Sequence, residues 1–263
     1  MEVQTRLFDP QLSFFDAFEP ERGLFLSRLW LNPKSRLVRR DLGDCHALHR
    51  SAMKAFPVTD KPAREEFGVL YRLEADERRN RLVLLVQSYV APNWAQLPVD
   101  RNGQPYCLAA PESKRVEDSF LALRSGRRLL FRLRANPTYC KSSGKQSGRR
   151  GKPLAVFGEE NQLAWLQRQG TVGGFRVESA RVWPDISSSD KRAPNSSVGW
   201  QQGHKDAGGN PLTFGAGVFE GELVITDDAL FQAALRNGIG RGKAYGFGLL
   251  SLAPAAVSPH TRG

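Results

Sequence analysis

The stretch from Gly238 to Leu252, GIGRGKAYGFGLLSL, constrains this chain more than any other segment. Glycines at 238, 240, 242, 246 and 248 leave a loop with little side-chain bulk. Its backbone can therefore approach a ligand or another segment closely. Arg241 and Lys243 bring positive charge to it, and exposed N–H groups in such a turn form a concavity suited to anions. Phe247, Leu249, Leu250 and Leu252 read as a strand running into a core. The spacing matches neither the P-loop nor the dinucleotide fingerprint, and the loop follows a helix and enters a strand. On this stretch alone, a phosphate site and a plain surface turn both stand.

The charge balance bears on that choice. Lys and Arg number 38 against 27 Asp and Glu, a formal net charge of +11 with a pI near 9.9. An excess of this size favours a polyanionic partner, nucleic acid or an acidic membrane surface, over a basic surface kept for solubility. The 263 residues suffice for one large domain or two of ordinary size, with a sizeable core. Cys45, Cys107 and Cys140 are far apart and show no C-x-x-C spacing, which points to reduced thiols and neither a disulfide framework nor a zinc site. No apolar run is long enough to span a bilayer, and the acidic, aromatic start is unlike a signal peptide. A cytoplasmic protein without a membrane partner is expected.

Along the chain, residues 1–23 read as an N-terminal extension and 255–263 as a tail. Residues 24–31 read as a strand, ended by Asn32-Pro33, and 34–40 as a basic connection. Asp41 is the expected N-cap of a helix over 41–56, with Leu42, Cys45, Leu48, Ala52, Ala55 and Phe56 on its apolar side. Strands are expected at 68–75, 81–90, 119–123 and 129–137. A second round follows: a helix at 162–169, strands at 177–183 and 215–226, a helix capped by Asp227-Asp228 and running to Asn237, and the glycine-rich strand. Residues 186–211 read as a Ser, Gly and Asn-rich loop. The pattern predicts an α+β fold of two tandem ferredoxin-like domains, 24–135 and 136–254.

Chemistry-bearing residues are few. His46 and His49 lie one turn apart on the first helix, about 5–6 Å apart at Cβ. A metal reading lacks a third ligand nearby, so no metal or other cofactor is expected. Edge-of-core packing and general acid–base chemistry both fit an imidazole there. Basic clusters punctuate loops and strand ends: Arg36, Arg39 and Arg40; Arg50 on the helix; Arg132 and Arg134; Lys141, Lys145, Arg149, Arg150 and Lys152; and Arg241 between Gly240 and Gly242. Loops of this kind suit a nucleic-acid backbone.

The segments LFLSRLWLNP, DLGDCHALHRSAMKAFP, FRLRANPT, AWLQR, FEGELVITD and GIGRGKAYGFGLLSLAP resemble, in order, the CasE family. These are the CRISPR repeat-processing endoribonucleases of type I-E systems. The resemblance covers about residues 24–254. It implies tandem ferredoxin-like domains that bind the hairpin of a CRISPR repeat transcript and cut at its 3′ base without a metal. The 2′-hydroxyl attacks the adjacent phosphate, leaving a 2′,3′-cyclic phosphate and a 5′-hydroxyl. The enzyme then keeps its product as a subunit of the Cascade complex. The family histidine, seven positions before Phe-Pro, falls on His49. Three positions earlier the family commonly has tyrosine, where this chain has His46. The resemblance thus leaves His46 as a second proton-transfer group, a phosphate-orienting group or a packing residue, with Lys243, Arg241 and loop N–H groups to supply charge. A non-catalytic RNA-binding subunit of the same fold is the main alternative.

Overall fold

Short apolar runs separated by turn residues make antiparallel strands here, and amphipathic stretches between them make helices. The computed structural model describes residues 20–76, 79–140, 153–184, 199–204 and 211–255. The first sheet takes β1 (Arg22–Leu31), β2 (Leu70–Asp76), β3 (Arg81–Val90) and β4 (Glu112–Arg115) in the order β2-β3-β1-β4. Between β1 and β2 run α1 (Arg36–Gly43), α2 (Cys45–Met53) and the short α3 (Ala63–Glu66). Between β3 and β4 stands only a 3₁₀ turn, Trp94–Gln96, where the second helix of the motif belongs.

After α4 (Glu117–Leu121) the second half is complete. It comprises β5 (Arg128–Ala135), a small hairpin of β6 (Thr138–Cys140) and β7 (Pro153–Ala155), α5 (Glu159–Val172) and β8 (Phe175–Pro184). Then come β9 (Gly199–His204), β10 (Pro211–Ile225), α6 (Asp228–Asn237), a 3₁₀ turn at Lys243–Tyr245 and β11 (Leu250–Pro254). The sheet order is β11-β5-β10-β8, with β9 paired to the long β10. Strand-helix-strand-strand-helix-strand with the last strand beside the first is the ferredoxin-like arrangement. Both sheets share its strand order, and the second half also has both helices, so the tandem fold expected from the sequence is present.

Each core lies between its sheet and its helices. In the first, Val38, Leu48, Ala55 and Phe56 meet Leu29, Tyr71 and Val86. In the second, Trp165, Leu166, Phe231 and Leu235 meet Phe131, Leu133, Phe219 and Leu223. The Phe175 and Phe231 rings meet edge to face at 5.9 Å. Each such side chain contributes about 1.5–3 kcal/mol by leaving water.

The two halves join through polar side chains that reach main-chain groups. Arg72, 2% exposed, donates to the carbonyls of Leu249 (2.9 Å) and Arg132 (3.0 Å) and to Ser251 Oγ (2.9 Å). Gln87 Nε2 donates to Leu235 O at 3.0 Å and the Tyr89 hydroxyl to Arg236 O at 2.8 Å. Both satisfy carbonyls in the last turn of α6 that have no partner within the helix.

Several expectations need correction. The single helix at 41–56 is two helices, broken at Asp44, whose φ of −142° is extended. Gly43 is a poor helix former and Asp44 a strong N-cap, so the chain restarts there. Asp41 does not cap; it is buried in α1, where the Tyr106 hydroxyl donates to Oδ2 at 2.8 Å. Of the strand expected at 119–123, residues 119–121 are the end of α4, whose Glu117 and Asp118 suit a helix N-terminus, and 122–123 follow it. The boundary after 135 misplaces β5: it pairs with β10 and β11, so residues 128–135 open the second sheet. Within the loop expected at 186–211, residues 199–204 form β9. The last strand starts at Leu250, not at Phe247.

Candidate active site

The Asp44 restart positions both histidines. Its carboxylate accepts hydrogen bonds from the amides of His46 (2.8 Å) and Ala47 (3.1 Å), fixing the first turn of α2. The amide of His204, on β9, donates to Asp44 Oδ2 at 3.2 Å. Burial opposes ionisation of Asp44, but the amides of Ala47, His46 and His204 outweigh it and hold its pKa below the ordinary value. Gly203 packs so closely on α2 that a Cβ there would lie 2.6 Å from Cys45 Sγ. The β9–β10 hairpin thereby holds the helix N-terminus.

The glycine-rich segment meets α2 from the other half of the molecule. All five glycines, 238, 240, 242, 246 and 248, have φ between +73° and +91°, a region L side chains rarely adopt. Ile239 N donates to Gly248 O at 2.9 Å, closing the loop on itself, and Gly248 N donates to Arg134 O at 2.8 Å. At Gly246 a Cβ would stand 3.0 Å from the Tyr71 ring and 3.2 Å from Arg134 Nη1, so the close approach needs glycine. The Tyr71 hydroxyl donates to Ala244 O at 2.7 Å.

That fold-back delivers Tyr245 to the histidines. Its ring lies 6.3 Å from His46 and 6.2 Å from His49, whose own rings are 6.3 Å apart. Tyr71 stacks beside His49 at 6.5 Å, and Phe214 backs Tyr245 at 4.9 Å. Burial raises the pKa of both phenols, which therefore remain protonated donors at neutral pH. Among the described residues, Nδ1 of His46 and Nδ1 of His49 are buried without a hydrogen-bond partner.

Burial, then the charges of His46 and Arg64, push His49 down to about 4. His49 is therefore neutral at pH 7 and able to accept a proton. Burial also lowers the Lys243 pKa, with Arg64 adding to it. The His49 shift carries a stability consequence. Between about pH 4 and 6.5 the unfolded chain binds a proton that the folded one refuses, so stability falls with acidification across that window. The loss amounts to at most roughly 3 kcal/mol. Urea unfolding at pH 7 and pH 4.5 checks this: His49→Gln is expected to lose less stability than wild type on acidification. Equal losses would contradict the neutral, desolvated imidazole.

The other expected site residues distribute unevenly. Gly240, Arg241 and Lys243 line a groove of about 550 Å³ with Trp165, Gln169 and Thr138. Arg50 is exposed on α2 itself. Arg36, Arg39 and Arg40 sit on α1; Arg39 donates to the carbonyls of Pro33 and Lys34, and Arg40 to Asp41. Arg132 is ion-paired with Glu220 at 2.9 Å. Arg134 departs from expectation: it is 3% exposed, donates to Gly246 O (3.0 Å) and Gln201 Oε1 (2.8 Å), and lies 4.3 Å over the Phe247 ring. It positions the glycine-rich loop instead of presenting charge at a surface. Lys141, Lys145, Arg149, Arg150 and Lys152 lie outside the described residues. Tyr71, Tyr245, Phe214 and Asp44 are not among the site residues expected from sequence; an aromatic inside a glycine-rich loop is the available signal for Tyr245.

Comparison with known proteins agrees with this geometry. A family model described as CRISPR associated protein matches residues 24–254. The CRISPR-associated endoribonuclease Cse3 of Thermus thermophilus is 35% identical over 231 residues, covering 88% of this chain and 100% of that protein. The CRISPR system Cascade subunit CasE of Escherichia coli is 30% identical over 216 residues, covering 80% and 92%. A structure of Thermus thermophilus Cse3 bound to an RNA representing a pre-cleavage complex matches with a TM-score of 0.67 and 32% identity, over 88% of this chain and 100% of that one. A histidine helix beneath a glycine-rich loop, on tandem ferredoxin-like sheets, thus sits in a chain that belongs to the CasE/Cse3 family of CRISPR associated proteins.

Proposed function

We propose that this chain is an endoribonuclease that binds the hairpin of a CRISPR repeat transcript, cuts at its 3′ base and stays bound as a subunit of Cascade. The observation that carries the reading is the pair His46 and His49 on one helix, with Tyr245 of the loop that bears Lys243 brought within 6.3 Å of both rings. It is supported by the RNA-bound structure of Thermus Cse3 and by the name of the Escherichia coli relative.

His49, neutral at pH 7, takes the proton of the 2′-hydroxyl as its oxygen bonds to phosphorus. The bond from phosphorus to the 5′-oxygen breaks, and that oxygen must gain a proton. His46 and Lys243 share the two remaining tasks, that proton and the positive charge opposite the phosphorane-like transition state. Tyr245, a protonated donor about equally distant from both histidines, orients a phosphate oxygen. The groove at Gly240 and Arg241, with Gly242 next in the chain, receives the stem backbone. The lysines and arginines of 141–152, Arg36, Arg39, Arg40, Arg50 and Arg132 add phosphate contacts. The setting is the cytoplasm; no described helix is long and apolar enough to cross a membrane.

Incubating wild type with a hairpin made from its own CRISPR repeat, in excess chelator, tests the mechanism. The expected result is undiminished cleavage, with a 2′,3′-cyclic phosphate on one product and a 5′-hydroxyl on the other. Cleavage abolished by chelator, or products bearing 5′-phosphates, would overturn it.

A further inference from the structure

The glycine-rich loop approaches the histidines from one side only. Beyond the C-terminal end of α2 lies a separate groove of about 620 Å³. Three of its lining residues are cations, Arg50, Lys54 and Lys61, and none is a carboxylate. Its remaining wall is largely apolar, with Met53, Phe56 and Val58, and Val58 is fully exposed. Asp60, next to Lys61 in the chain, is not among the lining residues.

The groove adjoins the histidines along the helix. Arg50 follows His46 by four residues and Met53 follows His49 by four, so both pairs are neighbours on the helix surface. From His49 to Lys54 the helix rises about 7.5 Å, the length of about two stacked nucleotides at ~3.4 Å each. Cations beside exposed apolar surface are what an unpaired strand requires: charge for its phosphates and a dry surface for its bases.

We infer that this groove holds the single strand 3′ of the cleaved phosphate, the part that leaves with the new 5′-hydroxyl. The inference rests on the hairpin-cleaving function proposed above. There, the stem occupies the side of the histidines marked by Arg241 and Lys243, and the chain beyond the cut must leave by another. Lys54 is the C-cap of α2 and Lys61 lies in the loop before α3; both are exposed. Charge complementarity therefore favours a polyanion over a protein segment.

The test uses the full chain and two hairpin RNAs from the CRISPR repeat of its own genome. One ends at the cleavage position and the other continues through the 3′ flank, with 2′-deoxyribose at the cleavage position so that it stays intact. Wild type is expected to bind the flanked RNA more tightly and with a steeper salt dependence. In the double variant Lys54→Gln, Lys61→Gln that extra affinity should vanish and the salt slope should flatten by up to about 1.4, roughly 0.7 for each lost single-strand phosphate contact. Affinity for the flankless hairpin should not change. No flank-dependent gain in wild type, or a gain that survives in the double variant, overturns the inference. Cleavage of an all-ribose flanked hairpin by wild type is scored separately, so failure of the function itself is distinguished from failure of this groove.

Discussion

His49→Ala is expected to bind the repeat hairpin within about twofold of wild type and to cleave it about 10²–10⁴-fold more slowly, the ordinary worth of one proton-transfer group. The imidazole is half-buried at the edge of α2, while Cys45, Leu48 and Ala52 hold the helix to its core. Removing it deletes no large apolar contact, and burial of a group already held neutral gives it no ion pair to lose. On the proposed function, affinity is carried elsewhere, by the arginines, lysines and glycine-rich backbone. His46→Ala should lower the rate less, because Tyr245 and Lys243 remain beside the phosphate. His46→Tyr restores the residue expected from the family resemblance and should retain more activity than His46→Ala. Affinity and single-turnover rate, measured on the same preparations, decide the matter. If His49→Ala cleaves at the wild-type rate, the site is assigned to the wrong residue and the RNA-binding-subunit reading takes over.

Arg72→Ala is expected to lose about 3–5 kcal/mol of stability, the cost typical of breaking a buried charged network. Its guanidinium meets Glu74 (2.7 Å), Ser251 and the carbonyls of Arg132 and Leu249, linking the first sheet to both strands at one edge of the second. Truncation leaves Glu74 with less countercharge and two buried carbonyls short of a donor. Arg72→Lys should rescue little, since one ammonium cannot reproduce a planar fork of donors. The carbonyl of Leu249 directly follows Gly248, so the same change loosens the loop that carries Tyr245. The variant should then show a reduced cleavage rate even where it remains folded. Urea unfolding at pH 7 gives the first quantity and single-turnover cleavage the second. A loss below about 1 kcal/mol, the scale of an ordinary exposed ion pair, would show that the joint between halves does not depend on this residue.

Much of the architecture is legible in the sequence because it is local. Apolar and aromatic content marks residues 24–31 and 81–90 as strands, and both are. Asp227 reads as a helix cap, and its carboxylate accepts from Leu230 N at 2.9 Å. The misreadings have local causes too. Ser-Phe-Leu-Ala-Leu at 119–123 has strand-like composition, yet the two acids before it favour a helix start. Gly43-Asp44 falls inside the apolar periodicity of 41–56, although both residues favour a break there.

What the sequence by itself determined was the set of elements, the tandem fold and the histidine pair on one helix face. Periodicity, capping and the glycine pattern act over a few residues and can be read one segment at a time. Tertiary structure alone decided that β5 belongs to the second sheet, through pairs such as Leu133 with Phe219 and with Leu250. It also withdrew Arg134 into the interior and brought Tyr71 and Tyr245 to His49. A strand's partner and a side chain's neighbours are set by segments distant in the chain. Their energies come from hydrogen-bond registry and burial that exist only once those segments meet.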